Sequence, residues 1–580
     1  MARLSPSTLR LGYRYRPKRL APDYDAIVIG SGMGGLTTAA LLSDLGKRVC
    51  VLEQHYTAGG FTHSYERAGY EWDVGVHYIG EVGAPTRTRK MFDYLSGGRL
   101  EWAPMDAEYD RFYIGDKVYN AIAGKQEFRD NLVAQFPDEV AAIDRYLLLL
   151  DRSGEALSAL GMGRGMPALL RFAFKPVLAW KLRGAYGRLT WDVLSELTDN
   201  QDLIATLCGQ WGDMGMPPKR SPFLAHAMIA RHYLYGGFYP VGGSWRIADT
   251  IIPKIQDGGG EVFTYARVEE ILVEDGRVTG VRMQDGHRID CDCVVSSAGI
   301  DNTVNHLLPE NVAESSGYRE RMKRVEPSVG HLGVYIGLQG TAEELGLPRT
   351  NFWVYPSNDY DAALDEFLAN PDAPFPIVYI SFPSAKDPDY ENRHPGTATI
   401  EIVAPAPYEW FSRWRDATWG KRGEDYEQLK AKFGDRLMEA LYDKLPQLRG
   451  KVDYYEVSTP LSTNWFGGYQ RGELYGLAHT RERLQQDWLG PRTPVRGLWL
   501  TGQDTLTCGV TGATQSGLIT VTRIAGATTR PPQFPRIYAE QPGTTQDHAL
   551  AGSPSLRDVP SRAQRVRRRA YCPAPAPPCC

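Results

Sequence analysis

One stretch near the amino terminus, Tyr24 to Gly35, leaves this chain few folds to choose from. Ala26-Ile27-Val28-Ile29 is a short, unbroken apolar run of β-branched type, the signature of a parallel strand buried on both faces. Gly30, Gly32 and Gly35 follow at G-x-G-x-x-G spacing, with Gly34 beside the last of them. Gly30 serves the tight turn, Gly32 lets backbone approach a pyrophosphate, and Gly35 lets the helix lie against the strand. The helix that opens there aims unpaired N–H groups and its positive dipole end at phosphate. Leu36, Ala39, Ala40 and Leu42 form its sheet-covering face, Gly46 stops it, and Val49 to Leu52 make the second strand. Glu53 falls at the tip of that strand, where a carboxylate accepts from ribose hydroxyls. Strand, glycine turn, helix, strand and acid in register predict a dinucleotide site.

The residues after Glu53 decide which dinucleotide. Gln54 leads into a loop that ends in Gly59-Gly60, and Asp73-Val74-Gly75 follows downstream. This continuation resembles flavin enzymes of the glutathione reductase and amine oxidase type, which implies FAD. Later segments complete the same site. Glu261-Val262-Phe263 reads as a strand and Val268 begins another, with hairpin turns at Asp275-Gly276 and Asp285-Gly286. Cys293 to Gly299 is a buried strand whose small end, at Ala298, packs under an adenine. Gly497 to Asp504 gives a further strand with Gly502 and Asp504 at its tip. Gly509 to Thr514, including Gly512, opens a helix whose N-terminus suits negative charge on a reduced flavin ring. The expected fold is therefore α/β, a Rossmann-like FAD domain with an interleaved α+β substrate domain.

The bulk properties set limits. With 580 residues the chain has room for two lobes, and its net charge of −4 carries no nucleic-acid footprint. No apolar run reaches the length of about 18 residues that a spanning helix needs. Cys50, Cys208, Cys291, Cys293 and Cys508 are scattered through the body without zinc or C-x-x-C spacing, which fits a reducing compartment and no metal site. The organisation read from composition is a basic arm over 1–22, FAD-binding segments at 23–100, 236–300 and 493–530, and substrate-domain segments at 101–235 and 301–492. A Pro-, Ala- and Arg-rich tail over 531–580 is expected to be disordered.

From Tyr24 to about Gly526 the chain also resembles the all-trans-retinol 13,14-reductase (retinol saturase) family, a branch of the phytoene desaturase and carotenoid isomerase group. The pieces that carry the resemblance are Val51-Leu52-Glu53-Gln54-His55, Asp73-Val74-Gly75-Val76-His77-Tyr78-Ile79-Gly80 and Gly236 to Ser244. Phe382 to Pro388, Tyr408-Glu409-Trp410-Phe411 and Leu500 to Asp504 complete them. The chain departs from the animal members in having Gly59-Gly60-Phe61-Thr62-His63 where they resemble G-G-C-C-H. The resemblance implies saturation of a carbon–carbon double bond in an apolar polyene or lipid. The same apparatus run as a desaturase or a cis–trans isomerase stays open, as does a prenyl-lipid chaperone of the Rab GDP-dissociation inhibitor type.

Such chemistry needs a proton donor beside a dry slot. Tyr78 and His77, after the Asp73-x-Gly75 segment, and Tyr239 and His232, near Tyr239-Pro240, are the candidates. Only one intact dinucleotide fingerprint is present, so electrons come from outside the chain, through NAD(P)H docking at the flavin or a separate reductase. Tryptophans crowd the middle region, with Trp180, Trp191, Trp211, Trp353, Trp410, Trp414, Trp419 and Trp465 falling between the FAD segments. Met166 to Tyr186 is apolar, with Arg171, Lys175, Lys181 and Arg183 interleaved and no acid. It reads equally as a membrane-surface contact and as a packed helix pair with snorkelling cations. A cytoplasmic or peripheral-membrane location follows from these features.

Overall fold

The computed structural model describes residues 9–165 and 187–526, with Phe174 and Pro176 between them. The tail over 531–580 and all of Met166–Tyr186 except those two positions lie outside the described residues.

A six-stranded sheet carries the glycine motif, in the order Tyr13–Arg14, Glu261–Thr264, Val49–Leu52, Ala26–Ile29, Val294–Ser296, Leu498–Leu500. Every pairing in it is parallel. Alternation along the two central strands divides the core. Ala26, Val28, Val49 and Val51 face a helical layer with Leu36, Ala39, Ala40, Ile247 and Ile251. Ile27, Ile29, Cys50 and Leu52 point the other way, onto a layer with Val268, Ile271, Val278 and Val281. That second layer is the antiparallel meander Val268–Glu274, Arg277–Met283, Arg288–Asp290. Both faces are therefore dry, which is why the strands read as continuous apolar runs. Helices Met33–Asp44 and Gly509–Ala525 cross closely, since a Cβ on Gly517 would lie 2.9 Å from the Gly34 carbonyl oxygen.

Within the basic arm, Tyr13–Arg14 forms the edge strand of this sheet, beside Phe263 and Thr264. The arm carries enough apolar side chain to stay: Leu11 packs on the helical side, and Tyr15 and Leu20 on the meander side.

The other lobe is built on a seven-stranded sheet in the order Val452–Ser458, His331–Gln339, Thr397–Pro405, Val378–Ser381, Asn351–Tyr355, Glu108–Ile114, Lys117–Ile122. Leu332, Val334, Ile336 and Leu338 pack beneath helix Glu424–Lys444 through Phe433, Leu437 and Leu441. A helical layer of Val140–Gly165, Gln201–Leu207 and Phe223–Tyr233 covers the Glu108–Ile114 end through Tyr146, Leu147, Leu203, Phe223 and Phe112. The lobes are joined by short ladders, Trp102–Pro104 with Phe238–Pro240 among them.

Candidate active site

The predicted dinucleotide residues converge from four parts of the chain. Gly30 adopts a φ of 91°, open only to glycine at low cost, and its N–H donates to the Leu52 carbonyl at 2.9 Å. A Cβ on Gly35 would overlap the Gly30 carbonyl oxygen, so Gly35 is required by the turn itself. A Cβ on Gly34 would lie 2.6 Å from the Cα and N of Gly502, and one on Gly60 2.8 Å from the Cα of Gly32. The Ser297 carbonyl lies against Gly30. The glycines thus bring the second-strand loop, the Val294–Ser296 strand and the Leu498–Leu500 strand against one helix N-terminus. Gly32 differs from its neighbours: a Cβ there meets no atom within 4 Å. Nothing in the packing of the described residues requires a glycine at that position, but a group lying close against the backbone would.

Glu53 is buried and makes three bonds. Its Oε2 accepts from the Ser31 N–H at 2.8 Å and the Ser31 hydroxyl at 2.7 Å, and its Oε1 from the His55 N–H at 2.8 Å. A carboxylate offers about four lone-pair positions, so one remains for an outside hydroxyl. Ser31 Oγ also accepts from the Gly59 N–H at 3.1 Å, tying the loop to the glycine turn. Gln54 is exposed, and a Cβ on Gly468 would press on its amide. Val268 is buried in the meander, and the Ala298 carbonyl accepts from Asn302 Nδ2 at 2.9 Å. The Asp504 carboxylate accepts from the Ile300 and Leu477 N–H groups, each at 2.9 Å, and so ties two other segments to the strand tip. Gly512 packs on Thr507 in the first turn of the last helix.

That helix N-terminus opens onto a cavity of about 1190 Å³. Val76, Ile79, Leu157, Ile377, Leu518 and Ile519 contribute apolar wall, and Trp211 and Trp353 are the tryptophans among its lining residues. His77, Tyr78 and His232 line it as well. Tyr239 does not: its hydroxyl is bound to Asp73, which also accepts from Ser244 Oγ and Ser64 Oγ, both at 2.6 Å. Tyr239 therefore belongs to the wall between the lobes.

His77 and Tyr78 occupy different electrostatic settings. His77 Nδ1 lies 2.9 Å from Glu401 Oε2. Burial, with Lys386 and His331 nearby, drives the imidazole down to about 3, so the ring is neutral. Glu401 is itself pushed well above the usual carboxylate range by burial and by Asp73. Tyr78 stacks on Tyr233 at 4.0 Å between centroids. Its hydroxyl lies 3.1 Å from Asp110 Oδ2 and 3.0 Å from Asp213 Oδ2. Burial and these two acids hold the phenol well above its ordinary pKa.

Several polar residues at this end carry no functional signal of their own in the sequence, Lys386 standing out only as part of the Phe382 to Pro388 piece. Lys386 is fully enclosed, donating to Asn351 Oδ1, to Ser381 Oγ at 2.8 Å and to the His77 carbonyl at 3.0 Å. Burial lowers it to about 7, against the pull of Glu401, Asp110 and Asp73. Asp110 has a signal in hindsight: it shares a strand face with Phe112 and Ile114, an acid at a core position. Asp213 sits in a short turn, Trp211–Met214, and has no such signal.

Residues 28–95 match the model of the NAD(P)-binding Rossmann-like domain. All-trans-retinol 13,14-reductase of Macaca fascicularis is 38% identical over 533 residues, covering 87% of this chain and 86% of that protein. The chain belongs to the all-trans-retinol 13,14-reductase family. More distantly, the chloroplastic prolycopene isomerase of Daucus carota is 26% identical, covering 76% of this chain and 69% of that one. Among solved structures, cyclohexylamine oxidase from Brevibacterium oxydans superposes with a TM-score of 0.56 at 15% identity, covering 88% of this chain and all of that one, a likeness of fold. The family's pieces meet in space here. Gly242 donates its N–H to Asp387 Oδ1 at 2.9 Å, Ser244 binds Asp73, and Lys386 binds the His77 carbonyl.

Proposed function

We propose that this chain is a FAD-dependent reductase that saturates one carbon–carbon double bond of an apolar polyene or lipid. The observation that carries the reading is the cavity of about 1190 Å³, largely apolar in its lining, with Glu81, Arg87, Asp151, Glu155 and Arg231 among its charged residues and Tyr78 and Asp213 at its polar end, opening on the N-terminus of the helix that closes the dinucleotide fold. The residues present fit FAD. Open space beside Gly32, the spare acceptor position on Glu53 and the buried Thr511 hydroxyl, unpartnered among the described residues, at the cavity-lining helix N-terminus are all suited to it. Gly30 to Gly35, Glu53 and the Gly59-Gly60 loop would hold the adenosine and pyrophosphate, and Gly502 and the helix N-terminus the flavin end. When bound, the cofactor supplies a hydride for the double bond. The chain's own contribution is to hold the double bond in a slot walled by Val76, Ile377 and Trp353, exclude water, and place a proton source at the polar end.

The electron donor is external, NAD(P)H or a reductase protein. The substrate arrives from a membrane surface. No helix among the described residues is long and apolar enough to cross a membrane. Helix Val140–Gly165 lines the cavity with Leu157, Ser158 and Gly161 and leads straight into the basic, apolar segment Met166–Tyr186. That segment makes the contact.

The test is anaerobic mixing of photoreduced protein with a lipid panel that includes all-trans-retinol, followed by mass analysis. Reoxidation of the flavin with a gain of two hydrogens in one lipid supports the reading. A geometric change with no change in mass would make the chain an isomerase, as the name of its carrot relative describes that protein. A colourless protein that does not take up FAD would overturn the reading outright.

A further inference from the structure

A single hydroxyl proton serves two carboxyl groups at the cavity's polar end. Tyr78 carries one O–H, yet its oxygen lies within hydrogen-bond distance of both Asp110 Oδ2 and Asp213 Oδ2. One O–H shared between two carboxylates would bind each weakly; both contacts are full hydrogen bonds when one of the acids carries a proton and donates it to the phenol oxygen. The remaining partners say which. Asp110 is fully buried and accepts from Gln210 Nε2 at 2.7 Å and from Asn351 Nδ2 at 2.9 Å. Two amide donors hold it as the anion. Among the described residues the Asp213 carboxyl has only Tyr78 as a hydrogen-bond partner, and no cation lies within ion-pair distance of it. Asp213 also lines the cavity, whereas Asp110 does not.

We infer that Asp213 is the acid that delivers the proton to the double bond, with Asp110 and Tyr78 as positioning residues: the Asp110 carboxylate keeps it protonated and the Tyr78 oxygen holds the two acids together. The inference rests on the reductase reading above. As hydride adds to one alkene carbon, the π electron pair takes the proton at the neighbouring carbon. The Asp213 O–H bond breaks, a C–H bond forms, and Asp213 is left as a carboxylate. Two carboxylates then share one hydroxyl, and their repulsion draws a proton back from water that enters as product leaves. The turn holding Asp213 is tied to the helix N-terminus at the flavin end: Cys508 Sγ contacts the Asp213 carbonyl at 3.6 Å. Tyr475 fixes the same turn through the Gly212 carbonyl at 2.8 Å.

The electrostatics agree with the geometry. Burial first, then the Asp110 carboxylate, push Asp213 up to about 8, while the Tyr78 hydrogen bond opposes them. Burial raises Asp110 to about 6, with its Asn351 and Gln210 donors opposing the rise. The other titratable groups facing Asp213 are Tyr233, Tyr355, Tyr379, Tyr475 and Cys508, all held neutral by burial at working pH. The sign follows directly. A donor with its pKa near 8 is loaded below that pH and empty above it, so turnover falls with one proton as pH rises through about 8.

The experiment combines single-turnover kinetics with infrared spectroscopy on the FAD-loaded protein. Photoreduced wild type and Asp213→Asn are mixed anaerobically with all-trans-retinol in detergent micelles. The variant should retain FAD and photoreduce normally, but its flavin should be reoxidised at least about a hundredfold more slowly, the usual weight of a general acid. Asp110→Asn removes the neighbouring negative charge and should move the basic limb to lower pH. In infrared difference spectra of the oxidised protein, a protonated-carboxyl band should be present at pH 7, titrate away above about pH 8, and be missing in Asp213→Asn. A wild-type rate and pH profile in Asp213→Asn would overturn the inference. So would absence of that band in the wild type, which needs no substrate and no variant to fold. A band that behaves as expected in a protein that no lipid reoxidises would overturn the reductase reading instead.

Discussion

Replacing Glu53 by glutamine keeps the side chain's shape and removes one acceptor. In the native protein Oε2 takes both Ser31 donors and Oε1 takes the His55 N–H. The amide of Glu53→Gln satisfies most donors with its oxygen toward Ser31, which turns its NH₂ group toward the His55 N–H and toward the position left for the ribose. A hydrogen bond to a charged acceptor is worth about 1.5–3 kcal/mol. Loss of the ribose contact alone therefore weakens FAD binding by about ten- to a hundredfold, at 1.4 kcal/mol per factor of ten. The half-buried His55 N–H is left facing a donor, while the Ser31 bonds survive. Fluorescence titration of stripped protein with FAD measures the first effect. Hydrogen exchange resolved at single amides measures the second, with faster exchange at His55 and little change at Ser31. FAD affinity within twofold of wild type would refute the assignment of Glu53 to the cofactor. Unchanged exchange at His55 would refute the geometry of the loop.

The glycines separate fold from cofactor. Gly32→Ala should leave the melting temperature of the stripped protein unchanged, because a Cβ there meets nothing within 4 Å, and should abolish FAD retention. Gly35→Ala drives a Cβ into the Gly30 carbonyl and should destabilise even the stripped protein by about 1–3 kcal/mol or more, read by denaturant unfolding. Lys386→Met should change how stability responds to alkali. The native lysine sits at about 7 when folded and at its ordinary 10.5 when unfolded, so the unfolded chain binds the extra proton between those values. Wild-type stability should therefore rise with pH across that window, and this contribution to the slope should vanish in Lys386→Met when the two are compared by unfolding midpoints. Reversing Arg171, Lys175, Lys181 and Arg183 together should reduce flotation with anionic liposomes and turnover of vesicle-bound lipid, at about 1 kcal/mol per cation. Turnover of detergent-dispersed lipid should hold.

What the sequence made legible follows from how local each signal is. The central strands, the helix they feed and the glycine turn are written in consecutive residues, so Ala26–Ile29, Met33–Asp44 and Val49–Leu52 could be placed without a structure. The strands near Val294 and Leu498 were legible for the same reason. The roles of single residues were less so. Gly34 and Gly60 were read as cofactor glycines, yet their immediate constraint is another part of the chain, Gly502 and Gly32. Asp504, legible as a cofactor-side acid at a strand tip, also clamps two distant N–H groups that the sequence does not announce. Tyr13–Arg14 falls within the basic arm, where two residues carry no periodicity, and its partner strand lies some 250 positions away. The polar end of the cavity was unreadable as a set. Tyr78, Asp110, Asp213, Asn351 and Lys386 come from five separate segments, and nothing local to any one of them names the others.

That polar end explains why family-specific pieces so far apart in the chain go together. Isolated charges in an apolar interior cost several kcal/mol each and are tolerated only when hydrogen-bonded. Here Lys386 stands among Glu401, Asp110 and Asp73, and each of its hydrogen bonds reaches a different segment of chain. The His77 carbonyl belongs to the loop after the Tyr70–Asp73 strand, while Asn351 and Ser381 belong to the seven-stranded sheet. Asp73 in turn receives Ser244, at the start of helix Trp245–Asp257, and lends its own N–H to Glu401 at 2.7 Å. An apolar contact at this junction would glue the lobes with little preference for register, because the hydrophobic effect is non-directional. Directional bonds to a buried cation fix one register. That register sets Tyr78 and Asp213 in the wall of the cavity that the helix N-terminus at Gly509 also lines, so the expensive charges lie where the position of a reacting atom matters most.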